Sequence, residues 1–554
     1  NVNSHSFVCE NVVVHNCLGG LLGTQLLKYK DTKNLTLLEK VKKWIIQVNE
    51  LFGQGNFFLE MQPSATKEQI FVNNLIVELS EELNIPYIIS TDAHYLRKED
   101  RLIHKAFLTA QQGDREVDDF YMSTYLMNTE DIYSYMEKHV GEKVIQNAFR
   151  NLDKIIDSCE TYELEKPLRI PYLPQNPKKP SEILIQKWET KIPLIREFIS
   201  SDYDSDHHLI AEILDQVDKK EEFQNEETYR EIEVNLNAIL ESSRAMNVPW
   251  SAYLLNVKDY IDIIWEKADS LVGCGRGSGG GFLLLYILGI TQMNPLKEKT
   301  KTFFWRFLNP ERASVLDIDF DIESSKRAQI YEAFQKIYGE DRISKVLTVR
   351  TEKAKSAIQT AFRGLGIDVD EALYVSSLIK SERGILQTLK QTFYGDEEEG
   401  IKPNQEFVRL MTEQYPEAWK IAQHIEGLIN GVGSHAGGTI FVDEPFYKST
   451  ALMKTSSGDV VTQFDLHDAE SVGLIKIDLL SVDAIDRLRV TIDLLIEYGY
   501  AERKNTLKET YEEIIGIYNL KRDDEEMWQL LWNHQVQSLF QMEQQSGVQA
   551  IELV

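Results

Sequence analysis

The sequence predicts a multidomain protein that combines α/β and α+β architecture. The chain has 554 residues, more than one ordinary domain contains. Within residues 57–96, two strand-like segments flank an amphipathic helix, which is a βαβ pattern. Further along, strand-like segments at residues 315–322 and 473–480 are separated by a mostly helical region. Together these observations indicate several domains of mixed type.

Composition limits the classes of function. Hydrophobic residues make up 43% of the chain and charged residues 27%, as in globular proteins. There is no uninterrupted apolar stretch of membrane-spanning length and no basic-then-apolar leader, so we expect a cytoplasmic protein with no membrane partner. The cysteines lack CxxC spacing, which argues against a disulfide framework or a zinc knuckle. They are Cys9, Cys17, Cys159 and Cys274.

The elements of the first half follow from local patterns. The βαβ unit consists of Phe57–Gln62, a helix near Glu68–Leu83, and Ile85–Leu96. The Pro-rich segment Ile170–Pro180 indicates an inter-domain linker, because Pro fixes φ and removes backbone donors. A charged helical region is predicted from there to about Lys267.

In the second half, the Gly-rich stretch Val272–Gly281 precedes an apolar helix, and Val315–Ile322 is predicted to be a strand. Residues from about 326 to 423 are predicted to be mostly helical. Strands are predicted at GGTIFVDE and GLIKIDLL, and helices over the last seventy or so residues.

The predicted strand VLDIDFDI carries three carboxylates. Because side chains alternate between the two faces of a strand, Asp317, Asp319 and Asp321 share one face. Such carboxylates repel one another unless a hard cation such as Mg²⁺ neutralises them. Asp478 lies in the otherwise apolar run GLIKIDLL, and we expect it to share this metal site. The alternative is an edge strand with an acidic outer face.

The loop GCGRGSGGG has the glycines that allow a backbone to approach phosphate closely. Two residues of the loop add side-chain donors: Arg276, which lies between Gly275 and Gly277, and Ser278, which follows Gly277. The helix that follows would favour an anion at its N-terminus. The alternative is a flexible linker.

The net charge of −28 argues against general coating of nucleic acid, so any binding to DNA must be local. Residues 341–363 carry a local positive excess that could serve this purpose or form a solvated helix face. Three further polar residues are expected to support the site: His435 among small residues, and Gln463 and Asp465 before the Asp478 strand.

Seven motifs in order resemble the α subunit of bacterial DNA polymerase III, a family C polymerase. They are GRGS, FLNPERASVLDIDFDI, LTVRTEKAKSAIQTAFRGLG, GSHAGGTIFV, VTQFD, GLIKIDLL and SLFQMEQQSG. The resemblance implies a palm like that of the polymerase β nucleotidyltransferases, with a helical thumb inserted between palm strands. It departs from the family at Leu316, where Pro is usual.

The resemblance also implies roles for individual residues. Asp317, Asp319 and Asp478 would be the catalytic carboxylates that hold two Mg²⁺ ions, while the role of Asp321 stays open. The loop would hold the incoming triphosphate through Gly275, Arg276, Gly277 and Ser278. The basic stretch would lie near the nucleotide or the DNA phosphates through Arg350, Lys353, Lys355 and Arg363.

Residues 17–159 resemble the second half of the polymerase-and-histidinol-phosphatase (PHP) domain. The motif STDAHYL matches the last metal-ligand motif of that domain at Asp92 and His94, where a complete site would hold Zn²⁺ or Mn²⁺. The earlier histidine-rich motifs are absent, so we expect only a partial site. An ordinary strand end with an Asp and a His is the alternative.

Residues 1–16 resemble the C-terminal end of an intein. The amide of Asn16 can cyclise onto its own carbonyl while His15 assists by proton transfer, and His5 lies in the matching upstream block. Cys17 would be the acceptor thiol. A complementary intein half is the implied partner. The implied domains are therefore an intein remnant (1–16), a PHP part (17–169), a linker (170–180), the palm (181–347 and 431–484), the thumb (348–430) and the start of the fingers (485–554).

The expected activity is template-directed DNA synthesis from primer–template DNA and dNTPs. The resemblance implies that most of the fingers would follow Val554, together with regions that contact a sliding clamp and other replisome subunits. We therefore expect weak activity from this chain alone. The alternatives are a PHP-type phosphoesterase or exonuclease and an inactive split-gene fragment that acts as a trans-splicing precursor.

Overall fold

The computed structural model of the protein describes residues 6–9, 12–15, 20–112, 119–299, 302–311, 315–382, 385–521, 523–537, 539–540 and 542–552. Over these residues the chain mixes helices and strands, as predicted. The strands are β1 (Ser6–Cys9), β2 (Val12–His15), β3 (Leu59–Met61), β4 (Tyr87–Ile89), β5 (Asp319–Ile322), β6 (Ile343–Thr351), β7 (Ser381–Glu382), β8 (Ile385–Leu386), β9 (Ile429–Phe441), β10 (Leu452–Lys454), β11 (Val460–Thr462) and β12 (Lys476–Ser481).

The α-helices are spread along the whole chain. In chain order they are α1 (Leu21–Thr32), α2 (Leu35–Phe52), α3 (Lys67–Leu83), α4 (Arg101–Gln112), α5 (Thr129–Val140), α6 (Glu142–Ser158), α7 (Glu182–Trp188), α8 (Ile195–Ile199), α9 (Asp204–Lys219), α10 (Glu226–Met246), α11 (Trp250–Glu266), α12 (Leu283–Ile287), α13 (Arg327–Tyr338), α14 (Ala354–Gly364), α15 (Val369–Ser377), α16 (Leu389–Tyr394), α17 (Gln405–Arg409), α18 (Pro416–Ile425), α19 (Phe446–Ser449), α20 (Leu466–Ser471), α21 (Asp483–Glu497), α22 (Leu507–Ile515), α23 (Glu525–Trp532) and α24 (Gln545–Glu552). No helix in the described part of the chain has both the length and the apolar character needed to cross a membrane.

The chain divides into two compact units. Unit 1 contains Asn1–Tyr162 and Arg350–Gly431, and unit 2 contains Glu163–Val349 and Val432–Val554. The chain leaves unit 2 within β6 and returns to it within β9. The excursion 350–431 has nearly the bounds predicted for the inserted segment 348–430, and its identity as a thumb stays a prediction.

Unit 1 contains the predicted βαβ unit. Strands β3 and β4 pair in parallel, with Leu59 opposite Tyr87, and helix α3 connects them. Helix α3 begins where the side chain of Thr66 accepts a hydrogen bond from the backbone N–H of Gln69, which satisfies one free donor of the first turn. Apolar side chains such as Ile76 are buried between helix and strands. The βαβ prediction is confirmed.

A second core in unit 1 joins segments that the sequence predicts in different domains. Helix α4 packs against α14 in a core that also includes α15 and α18. The two helices approach so closely that a Cβ on Gly364 would lie 2.4 Å from the carbonyl oxygen of Ala106. Gly364 therefore permits the backbone contact. The sequence could not reveal this pairing, because amphipathic periodicity shows which face is apolar but not what covers it.

Unit 2 is built around a six-stranded mixed sheet with the order β10-β11-β6-β9-β12-β5. Strand β12 runs parallel to β5 and antiparallel to β9. Large buried side chains fill the core of this unit, and the rings of Tyr260 and Phe441 stack 4.2 Å apart. The sheet places the strands that carry Asp319 and Asp478 side by side.

Three predictions need correction or refinement. The strand predicted at Val315–Ile322 is shorter, since β5 begins at Asp319. The region predicted as mostly helical from about 326 to 423 also contains β6, where charged residues interrupt the apolar alternation. The segment 170–180 lacks regular structure, as a linker would, but Asn256 fixes its start by donating to the carbonyl of Pro171 and accepting from the backbone of Leu173.

Candidate active site

Three carboxylates converge on adjacent strands of the unit 2 sheet. Asp319 of β5 and Asp478 of β12 are directly opposite each other in the parallel ladder. With Asp317, just before β5, each contributes a ligand oxygen, and these oxygens all lie within 4.8 Å of one another. Asp317 is exposed, Asp319 half-buried and Asp478 buried. This cluster is called the carboxylate triad below.

The chain around Asp317 and Asp319 is held by buried neighbours. Leu316, Ile318 and Phe320 are buried, so the alternation that the sequence predicted turns the aspartates to the other face. The fully buried Tyr253 accepts a hydrogen bond of 3.1 Å from the backbone N–H of Ile318 through its hydroxyl oxygen. Burial raises the pKa of Tyr253, and the three aspartates raise it further.

The electrostatics of the triad fit a divalent cation. Burial raises the pKa of Asp319, and the charges of Asp317 and Asp478 raise it further, against the opposing charges of Lys476 and Arg276. The buried Oδ1 atom of Asp478 has no hydrogen-bond partner among the described residues. An unpartnered buried carboxylate oxygen is costly unless a cation takes it, and carboxylate oxygens are preferred ligands of Mg²⁺.

Lys476 is a member of the site that the sequence analysis missed. Its Nζ atom forms an ion pair with Asp478 and lies 3.6 Å from an oxygen of Asp317. Burial would lower the pKa of Lys476, but the hydrogen bond to Asp478 and the charges of the triad together raise it. The signal was present, because Lys476 precedes Asp478 by two residues on one strand and so shares its face.

The Gly-rich loop lies beside β5 in the same unit. Val272 pairs with Ile322, and the backbone N–H of Gly273 donates to the carbonyl of Asp321. The following residues, Cys274–Ser278, are exposed or half-buried. Gly275 has a φ of +132°, a conformation that side chains disfavour, and a Cβ there would lie 3.1 Å from Thr291. Gly277 has a φ of +63°.

The start of this loop is anchored by side chains, unlike that of a flexible linker. The amide of Gln292 donates to the carbonyls of Val272 and Gly273, at 3.0 and 3.3 Å. The buried Glu323 accepts a hydrogen bond of 2.6 Å from the backbone of Leu271. The helix that follows, α12, has only five residues, so the predicted favourable N-terminus contributes little.

The sequence predicts Asp321 on the same strand face as Asp317 and Asp319, but its carboxylate contacts the Gly-rich loop and not the triad. Its Oδ1 atom accepts a hydrogen bond of 2.8 Å from Nη1 of Arg276. The group of described residues that brings three ligand atoms together consists of Asp317, Asp319 and Asp478, without Asp321. Asp321 thus contacts the loop.

His435 lies next to the triad, and its ring is bound by the backbone of its own strand. Its Nδ1 accepts backbone N–H donors from Gly437 and Gly438, at 3.2 and 2.7 Å. The same nitrogen lies 4.0 Å from Oδ1 of Asp478 and is already engaged. A Cβ on Gly438 would lie 2.9 Å from this nitrogen, so the ring fits against a glycine.

Gln463 and Asp465 make local contacts. The Gln463 side chain donates to the carbonyl of Leu452, and Asp465 caps helix α20 by accepting from the backbone of His467 and Asp468. Both arrangements stabilise the chain before β12. A direct effect of either residue on a substrate stays a prediction.

The basic residues predicted near nucleic acid belong to unit 1. Arg350 and Lys353 are exposed and Lys355 is half-buried. Arg363 is exposed and donates to the carbonyl of Ala110 at 3.2 Å, so part of its guanidinium supports packing within that unit. Their role in binding phosphates stays a prediction.

Asp92 and His94 lie near each other in unit 1. His94 Nδ1 donates to the carbonyl of Asp92 at 2.6 Å and lies 3.9 Å from its carboxylate. Asp92 has a left-handed φ of +44°, and its Oδ2 atom is buried without a partner in the described part of the chain. In that part, three converging ligand atoms occur at the triad and not here. The Zn²⁺ or Mn²⁺ site stays a prediction.

The intein residues fall largely outside the described part of the chain. His5, Asn16 and Cys17 are not described, and of His15 only the backbone is, at the end of β2. The predicted short strands are present, since β1 and β2 pair in an antiparallel ladder. Splicing chemistry stays a prediction.

The triad and loop together define a candidate metal-dependent site on a mixed sheet. The chain that carries this site is similar to DNA polymerases. Residues 207–481 match the family described as the bacterial DNA polymerase III alpha NTPase domain. This segment contains the complete triad and the Gly-rich loop.

Individual relatives agree with this match. The chain is 37% identical over 553 residues to the probable DNA polymerase YorL of Bacillus subtilis (strain 168) and to the DNA-directed DNA polymerase of Bacillus phage SPbeta. These alignments cover 97% of the chain and 42% of each relative. It is 26% identical over 532 residues to the DNA polymerase III subunit alpha of Aquifex aeolicus (strain VF5), covering 91% of the chain and 42% of the relative. The chain therefore spans less than half the length of these relatives.

Proposed function

We propose that the chain forms the nucleotidyl-transfer centre of a template-directed DNA polymerase of the polymerase III alpha type. The observation that carries this proposal is the convergence of Asp317, Asp319 and Asp478 within 4.8 Å. The convergence lies inside the segment that matches the polymerase III alpha family. Unit 2 would contain the palm, while the helical segment 350–431 would serve as the thumb and residues 17–159 as part of a PHP domain.

The substrates would be primer–template DNA and dNTPs. The 3′-hydroxyl oxygen of the primer forms a bond to the α-phosphorus, the α–β phosphoanhydride bond breaks, and the hydroxyl proton and pyrophosphate leave. Asp317, Asp319 and Asp478 would hold two Mg²⁺ ions, which when bound favour ionisation of the hydroxyl and stabilise charge on the phosphates.

The remaining residues of the site have supporting roles in this proposal. Arg276 and the exposed backbone of Gly275 and Gly277 would bind the triphosphate, because a guanidinium and close backbone N–H groups suit phosphate oxygens. Lys476 would balance the charge of the carboxylates. The basic stretch of unit 1, including Arg350 and Lys353, would contact DNA or nucleotide phosphates.

The proposal is tested by single-nucleotide incorporation with the chain in excess over primer–template, so that weak activity is measured. We expect Mg²⁺-dependent extension by the wild type. Asp317→Asn should reduce the rate at least about 100-fold, because it removes a charged metal ligand. Circular dichroism should show an unchanged fold, since Asp317 is exposed.

A control separates the triad from general acidity. Asp202→Asn, at an exposed position of the same unit, should leave the rate unchanged. Extension by Asp317→Asn at a near-normal rate would show that the triad is not the catalytic centre. If the wild-type chain extends no primer even when it is in excess over primer–template, this chain does not carry the activity.

A further inference from the structure

We propose that Asp321 is a positioning residue, which holds the guanidinium of Arg276 toward the triphosphate of the incoming nucleotide and does not bind metal. The inference deepens the proposed function and rests on it. It gives separate tasks to acidic residues that the strand pattern places on one face: Asp317 and Asp319 belong to the triad, while Asp321 serves the loop.

The ion pair between Arg276 and Asp321 is the first support. Nη1 of Arg276 donates to Oδ1 of Asp321 at 2.8 Å, and the side chains are 32% and 16% exposed. Partial burial makes such a pair more effective than one on the open surface, because solvent screens it less. A guanidinium carries five N–H donors in a rigid fork, and this contact uses one of its nitrogens.

The backbone of the loop is held against the same residue. Gly273 N–H donates to the carbonyl of Asp321 at 2.9 Å. A Cβ on Gly273 would lie 3.0 Å from the Cβ of Asp321, so the loop passes directly over this aspartate. Backbone and side chain of Asp321 therefore fix both the start of the loop and its arginine.

An aromatic ring on another side of the guanidinium limits the orientations that Arg276 can adopt. The guanidinium carbon of Arg276 lies 5.9 Å from the ring centroid of Phe540, a cation–π distance. With Nη1 bound to Asp321 and the ring of Phe540 nearby, the guanidinium is oriented before a ligand arrives. Orienting a donor in advance reduces the entropy lost on binding.

The pair also keeps a cation away from the metal ligands. Arg276 is near enough to Asp319 to oppose the raised pKa of that carboxyl. Without Asp321, the triad would be the acidic partner available to Arg276, and the guanidinium would compete there with a metal ion. The carboxylate of Asp321 gives Arg276 a partner outside the triad.

The test measures binding of dATP and of deoxyadenosine by calorimetry in Ca²⁺, which supports binding without turnover, and Mn²⁺ binding by electron paramagnetic resonance. We expect Asp321→Asn to weaken dATP binding about tenfold, because it loses a charge-assisted hydrogen bond that orients Arg276. Deoxyadenosine binding should not change, and nucleotide-free Mn²⁺ affinity should fall much less than with Asp319→Asn, because the freed guanidinium can compete with the ion but no metal ligand is lost. Asp319→Asn should weaken Mn²⁺ binding instead.

A double-mutant cycle shows whether Asp321 acts through Arg276. Arg276→Gln should weaken dATP binding at least as much as Asp321→Asn, and the double variant no more than Arg276→Gln, because residues that act together are not additive. Asp321→Glu keeps a carboxylate, so it should bind dATP with most of the wild-type affinity that Asp321→Asn loses. Asp321→Ser, a smaller neutral change, replaces Asp321→Asn should that variant not fold.

The matched control is Asp459→Asn, which removes a comparable partly buried ion pair, to Lys345 at 2.7 Å. It should change neither measurement. The inference is overturned if Asp321→Asn weakens Mn²⁺ binding as Asp319→Asn does, or leaves dATP binding intact. If the wild type binds dATP no more tightly than deoxyadenosine, the nucleotide site of the proposed function is wrong, and this inference with it.

Discussion

Each unit of this protein contains a group of ionisable side chains near strand ends, and the two groups differ in how they accommodate charge. In unit 2 the triad brings three carboxylates together and sets Lys476 beside them. In unit 1, Glu60 of β3 lies near Asp92, and His94 lies near His104. Both groups are partly buried, and an unbalanced charge is energetically unfavourable away from water.

In unit 2 the charge is balanced by an opposite charge. Lys476 pairs with Asp478, and its pKa is raised despite burial, so it remains a cation at neutral pH. The Oδ1 atom of Asp478 has no hydrogen-bond partner among the described residues and is available to a further cation. In the proposed function, a metal ion would take over part of this charge balance from the lysine.

In unit 1 the charge is largely avoided. Burial raises the pKa of Glu60 to about 7, against the hydrogen bond from Ser90 and with help from Asp92. Burial lowers the pKa of His104 to about 4, and the nearby His94 contributes in the same direction. Burial therefore shifts both groups toward their neutral forms in the folded protein. The two clusters therefore accommodate charge differently: unit 2 pairs it with an opposite charge, and unit 1 shifts buried groups toward their neutral forms.

The largest predicted effect tests charge avoidance in unit 1. The pKa of Glu60 is raised in the folded state, from 4.5 to about 7, so its stabilisation is complete below pH 4.5 and is lost as the pH rises through 7. Between pH 5 and pH 8 this should cost up to about 3 kcal/mol of unfolding free energy. Glu60→Gln should remove that loss, as measured by urea unfolding at both pH values.

His104 acts in the opposite sense, because its lowered pKa gives stability above pH 6.5 that is lost as the pH falls through about 4. The difference between wild type and Glu60→Gln therefore isolates Glu60. Glu78→Gln, at an exposed position of α3, should keep the wild-type pH dependence. A Glu60→Gln protein with the same pH dependence as wild type would show that Glu60 is charged when folded.

The next effect tests charge balance in unit 2. Lys476→Met keeps the aliphatic bulk but removes the cation, so the triad should bind Mn²⁺ about tenfold more tightly, since the ammonium no longer competes. The metal-free protein should lose about 2 kcal/mol of stability, because the carboxylates are left to repel one another. Spin-resonance titration and thermal unfolding, with and without Mn²⁺, measure both quantities.

The control for this change is Lys258→Met, which removes a half-buried lysine paired with Asp262 at 2.7 Å on α11. It should leave Mn²⁺ affinity unchanged. Weaker Mn²⁺ binding by Lys476→Met would mean that the lysine supports the metal ligands, and the contrast between the two units would then need a different explanation.

Much of this contrast lies beyond what a sequence can predict. Strand alternation placed Asp317 and Asp319 on one face, and it would also have placed Lys476 beside Asp478 had the rule been applied there. The pairing of Asp319 with Asp478 depends on sheet order and register, which residues distant along the chain decide together. The charge of Asp478 within an apolar run predicted that it shares the metal site, and the family resemblance then implied that Asp317, Asp319 and Asp478 are the catalytic carboxylates.

Other features depend on burial and contact. Asp321 and Arg276 were both candidate site residues, but the ion pair between them depends on how the loop crosses β5. The raised pKa of Glu60 arises from desolvation, which has no signature in a short segment. Strand β6 was missed because Lys345 and Arg350 interrupt its apolar alternation.

The smallest predicted effect concerns Asp465, an acid near the triad in sequence but outside both groups. It accepts hydrogen bonds from the backbone of His467 and Asp468 at the start of α20. Asp465→Ala should cost about 1 kcal/mol, as loss of a helix N-cap does, and Asp465→Asn much less, because Asn also caps. Thermal unfolding measures both changes, and Mn²⁺ affinity should stay at the wild-type value. If Asp465→Ala weakened Mn²⁺ binding while Asp465→Asn did not, the cap would set the position of the Asp478 strand, and the triad would depend on a contact outside the sheet.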